Sequence, residues 1–97
     1  MLNLNKNREF VVPAHETVYR NLRSEILAGL MNPGQVLTLR GLAKGYNVSV
    51  MPVREAVRRL AAEGALSISP SGRIFIPELT NERIEELASL RALLEPE

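Results

Sequence analysis

The feature that most constrains the fold is an amphipathic stretch at residues 48–64, VSVMPVREAVRRLAAEG. At about 100° per residue, a helix formed by this stretch has one apolar side and one side that carries arginines. The apolar side holds Val53, Ala56, Val57 and Leu60, and the opposite side holds Met51, Arg54, Glu55, Arg58 and Ala62. Ser49 can cap its start, Pro52 suits its first turn and Gly64 suits the position after its end. The stretch predicts a helix with one packed face and one basic face.

An ordinary surface helix shows the same pattern, so the preceding segments matter. In residues 14–30 the apolar positions recur every three or four residues, at Val18, Leu22, Ile26, Leu27 and Leu30. This predicts a first core-facing helix, which the breaker Asn32-Pro33-Gly34 ends. A short extended segment at residues 35–37 leads to Thr38, which can cap a second helix at residues 39–45. Its buried residues should be Leu39, Leu42 and Ala43. Two helices joined by the short connection at residues 46–48 predict a helix-turn-helix.

After Gly64 the apolar period changes to two. Leu66 and Ile68 alternate with serines, residues 70–72 have the composition of a turn, and residues 73–76 form a second extended run. This pattern predicts a short β-hairpin. A hairpin directly after a basic amphipathic helix is typical of the wing of a winged helix-turn-helix, with Ser71, Gly72 and Arg73 at its tip. The expected fold class is therefore mainly α with a small β-hairpin.

A last helix should begin at Thr80 as N-cap, with Leu79 and Ile84 placed as a hydrophobic staple. Its apolar stripe, Ile84, Leu87, Leu90 and Leu94, has no obvious partner in the sequence. We therefore expect the polypeptide to be part of something longer or to rely on a partner subunit. The polar residues 1–13, which end at a proline, should form a flexible arm.

Charge and composition limit the possible functions. Residues 1–77 carry ten lysines and arginines against five acids, whereas residues 78–97 carry two arginines against six glutamates. Only the front segment suits a polyanion. The chain has no cysteine, no apolar run long enough to span a membrane and no signal-peptide core, so we expect a cytoplasmic protein without membrane contact. His15 is the only histidine and should lie on the surface, so no metal or cofactor is expected in this chain.

With these elements in order, residues 17–77 resemble the N-terminal domain of the GntR family of bacterial transcriptional regulators. The motifs that carry the resemblance are Ile26 with Gly29, Pro33-Gly34 with Leu37, Leu42-Ala43, Val48-Ser49, Pro52-Val53-Arg54-Glu55-Ala56, Leu60 and Glu63-Gly64. Leu79-Thr80 and Arg91 with Leu94-Glu95 are similar to the opening of the helical effector domain of the FadR-like (FCD) subfamily. The resemblance implies a DNA-binding domain at residues 14–77, and a linker with the start of an all-helical effector domain at residues 78–97.

The resemblance also implies the partners. They are double-stranded DNA with a palindromic operator, a second copy of the chain, and a small-molecule effector bound in the C-terminal domain that this chain lacks. FCD members hold metal and ligand through residues of that domain. The sequence departs from the family at Val50, where members usually have arginine.

Seven residues form the predicted DNA-binding set: Arg40, Ser49, Met51, Arg54, Arg58, Gly72 and Arg73. An arginine fork at Arg54 can grip guanine O6 and N7 in the major groove, and Arg58 lies one turn further along the same face. Ser49 should cap the helix and also donate to a phosphate. Arg40 matches a position at which members of the family contact DNA. Gly72 permits a turn with positive φ, and Arg73 beside it can enter the minor groove.

Other interpretations remain open from the sequence. Arg54 can form a surface ion pair instead, Lys44 can contact the DNA backbone or stay solvated, and Arg59 should be solvated. A winged-helix module for protein docking is the alternative function, since Val50 and Met51 would expose apolar surface where arginine is expected. An enzyme is not expected, because the sequence shows no catalytic triad, paired carboxylates or Gly-rich phosphate loop.

Overall fold

A computed structural model describes the backbone of residues 12–94 and the side chains of residues 12–89. Within residues 12–94, seven elements follow one another: α1 (Ala14–Leu27), β1 (Val36–Leu37), α2 (Leu39–Tyr46), α3 (Val50–Glu63), β2 (Ser67–Ile68), β3 (Ile74–Phe75) and α4 (Asn81–Leu94). This is the predicted winged helix-turn-helix followed by one helix. The predicted N-terminal arm falls almost entirely on residues 1–11, outside the described residues.

The core lies between α1 and α3. Val18 and Leu22 on α1, and Val53 and Leu60 on α3, are completely buried. Each such side chain contributes about 1.5–3 kcal/mol relative to leaving it exposed. The apolar face predicted for α3 is confirmed, since Val53, Ala56, Val57 and Leu60 are its buried residues. This packing fixes which side of α3 turns outward.

A polar network fastens α1 to α3 beside this core. The Tyr19 hydroxyl donates to Glu63 Oε2 at 2.7 Å, and the Arg59 guanidinium lies 3.7 Å from the centroid of the Tyr19 ring. Arg59 Nη1 also donates to Glu16 Oε1 at 3.1 Å. Burial, and then the Glu63 hydrogen bond, raise the pKa of Tyr19. The prediction that Arg59 is simply solvated was wrong, because it lies on the flank of α3 that faces α1.

Helix α1 ends earlier than its apolar pattern indicated. Gly29 has φ of 76°, and its N–H donates to the Ile26 carbonyl while the Leu30 N–H donates to that of Glu25. These two bonds form a Schellman motif, which a left-handed residue closes. The prediction that Leu30 faces the core was wrong. Leu30 is 72% exposed, because the chain has already left the helix at Gly29.

The wing contains one more strand than the sequence predicted. β2 and β3 form the expected antiparallel hairpin, in which Ser67 pairs with Phe75 and Ile68 with Ile74. β1 pairs with the other edge of β3, so the order in the sheet is β1-β3-β2. The extended segment before α2 was predicted, but its pairing was not. Through β1, the sheet holds the wing against the start of α2.

Helix α4 packs partly on the same core. Thr80 caps it as predicted, since Thr80 Oγ1 accepts from the Arg83 N–H at 3.0 Å. Leu87 is 1% exposed, so the expectation that the α4 stripe has no partner within the chain was wrong at this position. Two arginines also bridge to this helix: Arg23 donates to the Leu87 carbonyl, and Arg83 donates to the Glu63 carbonyl at the end of α3. The side chains of Leu90 and Leu94 lie outside the described residues.

Candidate nucleic-acid interface

The helix-turn-helix is held by caps at both ends of α2. Thr38 Oγ1 accepts from the Gly41 N–H at 2.9 Å, which confirms the predicted cap. Asn47 follows the helix with φ of 58°, a conformation that asparagine adopts more readily than most residues. The Asn47 and Val48 N–H groups then donate to the carbonyls of Lys44 and Ala43. This left-handed residue turns the chain sharply from α2 into α3.

The outer face of α3 consists of Met51, Arg54, Glu55 and Arg58, all of which are exposed. Val50 precedes them but is half-buried and packs against the core. Of the two residues expected to expose apolar surface in the first turn, only Met51 does so, at 65% exposure. The outer face therefore combines one apolar side chain with two cations and one acid.

Ser49 occupies the N-cap position of α3 with extended backbone, φ −77° and ψ 173°, but its side chain makes no capping hydrogen bond. A capping serine accepts from the N–H two or three positions into the helix. The third position is Pro52, which has no N–H. The predicted capping bond is thus absent: Pro52 removes the donor at the third position, and the Met51 N–H at the second position does not replace it. The exposed hydroxyl and the helix N-terminus remain available to an anion.

The arginines of the described residues fall into two groups. Those in contacts within the chain are Arg20, Arg23, Arg59 and Arg83. In contrast, between residues 12 and 89, no ion pair or hydrogen bond engages the guanidinium groups of Arg40, Arg54, Arg58 and Arg73, all of which are exposed. The ion pair considered for Arg54 is therefore not formed. The arginines predicted to bind DNA are thus the ones whose side chains form no ion pair or hydrogen bond within the described residues.

The wing brings three predicted residues together. Gly72 has φ of 90° at its tip, as predicted, and the tip is closed by bonds from the Gly72 N–H to the Ser69 carbonyl and from the Ser69 N–H to the Arg73 carbonyl. Arg40 at the start of α2 lines a surface groove of about 530 Å³ with Gly72 and Arg73. We call this the wing groove; its other lining residues are Val36, Leu37, Thr38, Leu39 and Ile74. Ser49, Met51, Arg54 and Arg58 lie instead along α3.

Two contributors to this surface were not assigned from the sequence. Val36 is 46% exposed and lines the wing groove, but a strand of two residues is too short to show a period of two. Glu55 lies beside Arg54 with one carboxylate oxygen 3.8 Å from His15 Nδ1. A carboxylate on this face opposes phosphate but can accept from the N4 amino group of cytosine. The helical wheel already placed Glu55 on this side.

Other kinds of site find little support in the described part of the chain. Among residues 12–89, no group of three or more His, Asp or Glu side chains is arranged to hold a metal ion. None of the described helices is both long and apolar enough to cross a membrane.

Comparisons with known proteins agree with this geometry. The model of "Bacterial regulatory proteins, gntR family" matches residues 14–76. The chain is 33% identical to the transcriptional regulator McbR of Escherichia coli over 78 residues, which is 80% of this chain and 35% of McbR. It is 38% identical to the gluconate operon transcriptional repressor of Bacillus subtilis over 74 residues, which is 76% of this chain and 30% of the repressor. The chain thus spans about a third of the length of these curated relatives.

Solved structures show the same fold. E. coli McbR/YncC aligns with a TM-score of 0.67 at 32% identity, over 88% of this chain and 40% of that one. S. agalactiae BusR, solved with its busAB-promotor DNA, aligns with a TM-score of 0.67 at 20% identity, over 89% of this chain and 44% of that one, a likeness of fold alone. The curated relatives are named as regulators and repressors of transcription rather than as enzymes. The chain belongs to the GntR family of bacterial regulatory proteins.

Proposed function

We propose that this chain binds double-stranded DNA sequence-specifically, as the DNA-binding part of a transcriptional regulator in the bacterial cytoplasm. The observation that carries the proposal is the division of the arginines. Arg40, Arg54, Arg58 and Arg73 are exposed and make no ion pair within the described residues. Unpaired guanidinium groups clustered on α2, α3 and the wing favour a polyanion as partner.

In this proposal α3 enters the major groove by its N-terminal half. Arg54, one turn into the helix, grips guanine through O6 and N7, and Arg58 binds a base or a phosphate at the groove edge. Ser49 donates its hydroxyl to a phosphate, since that hydroxyl is exposed and makes no capping hydrogen bond within α3. Arg40, Gly72 and Arg73 around the wing groove bind the adjacent backbone and minor groove.

We further propose that the whole protein is a homodimer on a palindromic operator, with a helical FCD-type effector domain that binds a small molecule. Two-fold symmetry of a protein and of its operator usually correspond. The relatives are about three times as long as the aligned segment, which leaves room for such a domain. BusR of S. agalactiae was solved in complex with its promoter DNA, and this gives a precedent for the fold in that role.

Selection of DNA from a random pool by the 97-residue chain tests the proposal. Arg54→Ala should weaken binding to the enriched sequence by about 1–3 kcal/mol, the value of a bidentate base contact. Arg20→Ala is the control, because it also removes a cation but from the opposite packing helix, where Arg20 pairs with Glu16. The affinity should fall steeply as salt rises. Enrichment of no sequence, or equal losses in both variants, would refute specific binding through α3.

The alternative, a protein-docking module, has one observation in its favour, the exposed Met51. It predicts that Arg54→Ala leaves binding to a protein partner nearly unchanged. The loss of DNA affinity in that variant therefore separates the two functions.

A further inference from the structure

Met51 is the large apolar side chain of α3 that the fold does not use. It is 65% exposed, whereas its neighbours Val50 and Val53 pack against or within the core. It lies in the first turn, on the same face as Arg54 and Arg58. An exposed methionine thus lies at the N-terminal end of α3, the helix that we propose enters the major groove.

The chemistry of the thioether limits what it can contact there. Methionine has no hydrogen-bond donor, and its sulfur is a weak acceptor, so it discriminates bases by apolar contact. In the major groove, the apolar group that base edges present is the C5-methyl of thymine. Around Met51, the first turn of α3 has no charged side chain that would compete for the same base edge.

We infer that Met51 is a specificity-determining residue that packs on the C5-methyl group of a thymine, within two base pairs of the guanine bound by Arg54. This inference rests on the proposed DNA-binding function. The spacing follows from helix geometry: residues three apart are separated by about 4.5 Å along the axis, and successive bases of one strand by about 3.4 Å. Since Met51 and Arg54 lie only about 60° apart around the helix, both side chains reach the same groove.

The fold does not require methionine at position 51, because this side chain is 65% exposed. Val50 is half-buried and packs against the core, so it is not placed to contact a base. Met51 is therefore the residue of the first turn that contacts a base. The preferred half-site should contain a thymine, bound through its methyl group, within two base pairs of the guanine bound by Arg54.

The test replaces each thymine of the enriched DNA, one at a time, with deoxyuridine. This change removes only the methyl group and keeps every hydrogen bond of the base pair. The unsubstituted chain should lose about fourfold in affinity at one thymine per half-site, the effect of exposing one methyl group. Met51→Ala should bind the thymine and deoxyuridine forms of that site equally. Because Met51 is largely exposed, this variant should keep its thermal unfolding midpoint.

Leu30→Ala is the matched control, since Leu30 is 72% exposed but lies after α1, outside the proposed interface. It should keep the sensitivity to deoxyuridine. If an enriched sequence is found but no thymine shows the loss, or Met51→Ala shows the same loss as the unsubstituted chain, the role of Met51 is refuted while specific binding stands. Enrichment of no sequence refutes both.

Discussion

Replacing Arg23 with methionine should stabilise the protein, although it removes a cation from a helix interface. Arg23 is only 2% exposed, and one of its nitrogens donates to the Leu87 carbonyl of α4. Its Nε and Nη1 atoms are buried without a hydrogen-bond partner. No carboxylate of the described residues forms an ion pair with it. The guanidinium is thus a buried charge of which most donors are unsatisfied.

The expected gain follows from these contacts. Each unsatisfied buried donor costs about 1–3 kcal/mol, and the single bond to a charged donor contributes about 1.5–3 kcal/mol. The Leu87 carbonyl lies inside α4, where the N–H four residues further on also donates to it, so losing Arg23 does not strand it. Methionine keeps the length of the side chain and a good helix propensity. Replacing a buried ion pair by packed apolar residues of similar volume is often neutral or stabilising by about 1–4 kcal/mol, and we expect a gain of that order here.

Thermal unfolding followed by circular dichroism measures this effect. For a domain of this size, the midpoint should rise by about 4–8 °C for each kcal/mol. Arg73→Met removes the same charge from the exposed wing tip and should change stability by less than about 0.5 kcal/mol. Arg23→Ala should be less stable than Arg23→Met, since it leaves a cavity. A lower midpoint for Arg23→Met than for the unsubstituted chain would show that the guanidinium is favourably paired, and would refute the reasoning.

Three further substitutions and one control test the fold. Tyr19→Phe should lower the free energy of unfolding in urea by about 1.5–3 kcal/mol, because Glu63 loses its hydroxyl donor; an unchanged value would contradict this. Partial burial would raise the pKa of Glu16, but hydrogen bonds from two arginines outweigh it and hold the pKa below the ordinary 4.5. The resulting stabilisation is present above pH 4.5 and is lost as the pH falls through the folded-state pKa, so Glu16→Gln should be less stable near pH 7 and equally stable in strong acid. Gly72→Ala should cost about 1–2 kcal/mol through its positive φ, measured by amide exchange in the wing, whereas Gly45→Ala within α2 should stabilise slightly.

The helices of the DNA-binding domain could be predicted because each carries its own signals. The apolar period of α3, with Ser49 before it and Gly64 after it, indicates both the helix and its packed face. The end of α1 was placed too late, because Leu30 continues the apolar period beyond the turn that Gly29 makes. The pairing of β1 with β3 was not predictable, since two-residue strands show no period and their partner lies far along the chain.

The site was predictable as a set of residue types but not in its internal contacts. Helical spacing places Arg54 and Arg58 on the outer face, but it does not reveal that Arg59, one position further, bonds to Glu16 on another helix. Similarly, serine commonly caps helices, but Ser49 makes no capping bond, although Pro52 removes only one of the two N–H donors from which it could accept. Val50 turns inward because it lies only about 20° from Val57 around the helix, and Val57 is one of the four buried residues of α3.

The two faces of α3 therefore have different roles, one in packing and one in the proposed recognition of DNA. The core face and the Tyr19 network hold the helix on α1, while the outer face makes no contact that the fold needs. Substitutions at Met51, Arg54 or Arg58 should change DNA recognition without changing stability. Substitutions at Val53 or Leu60 should change stability without changing which DNA sequence is recognised. The exception is the C-terminal end, where Arg83 of α4 donates to the Glu63 carbonyl. There α3 is contacted by the helix that follows the wing, so a substitution of Arg83 should remove a contact that holds the end of α3.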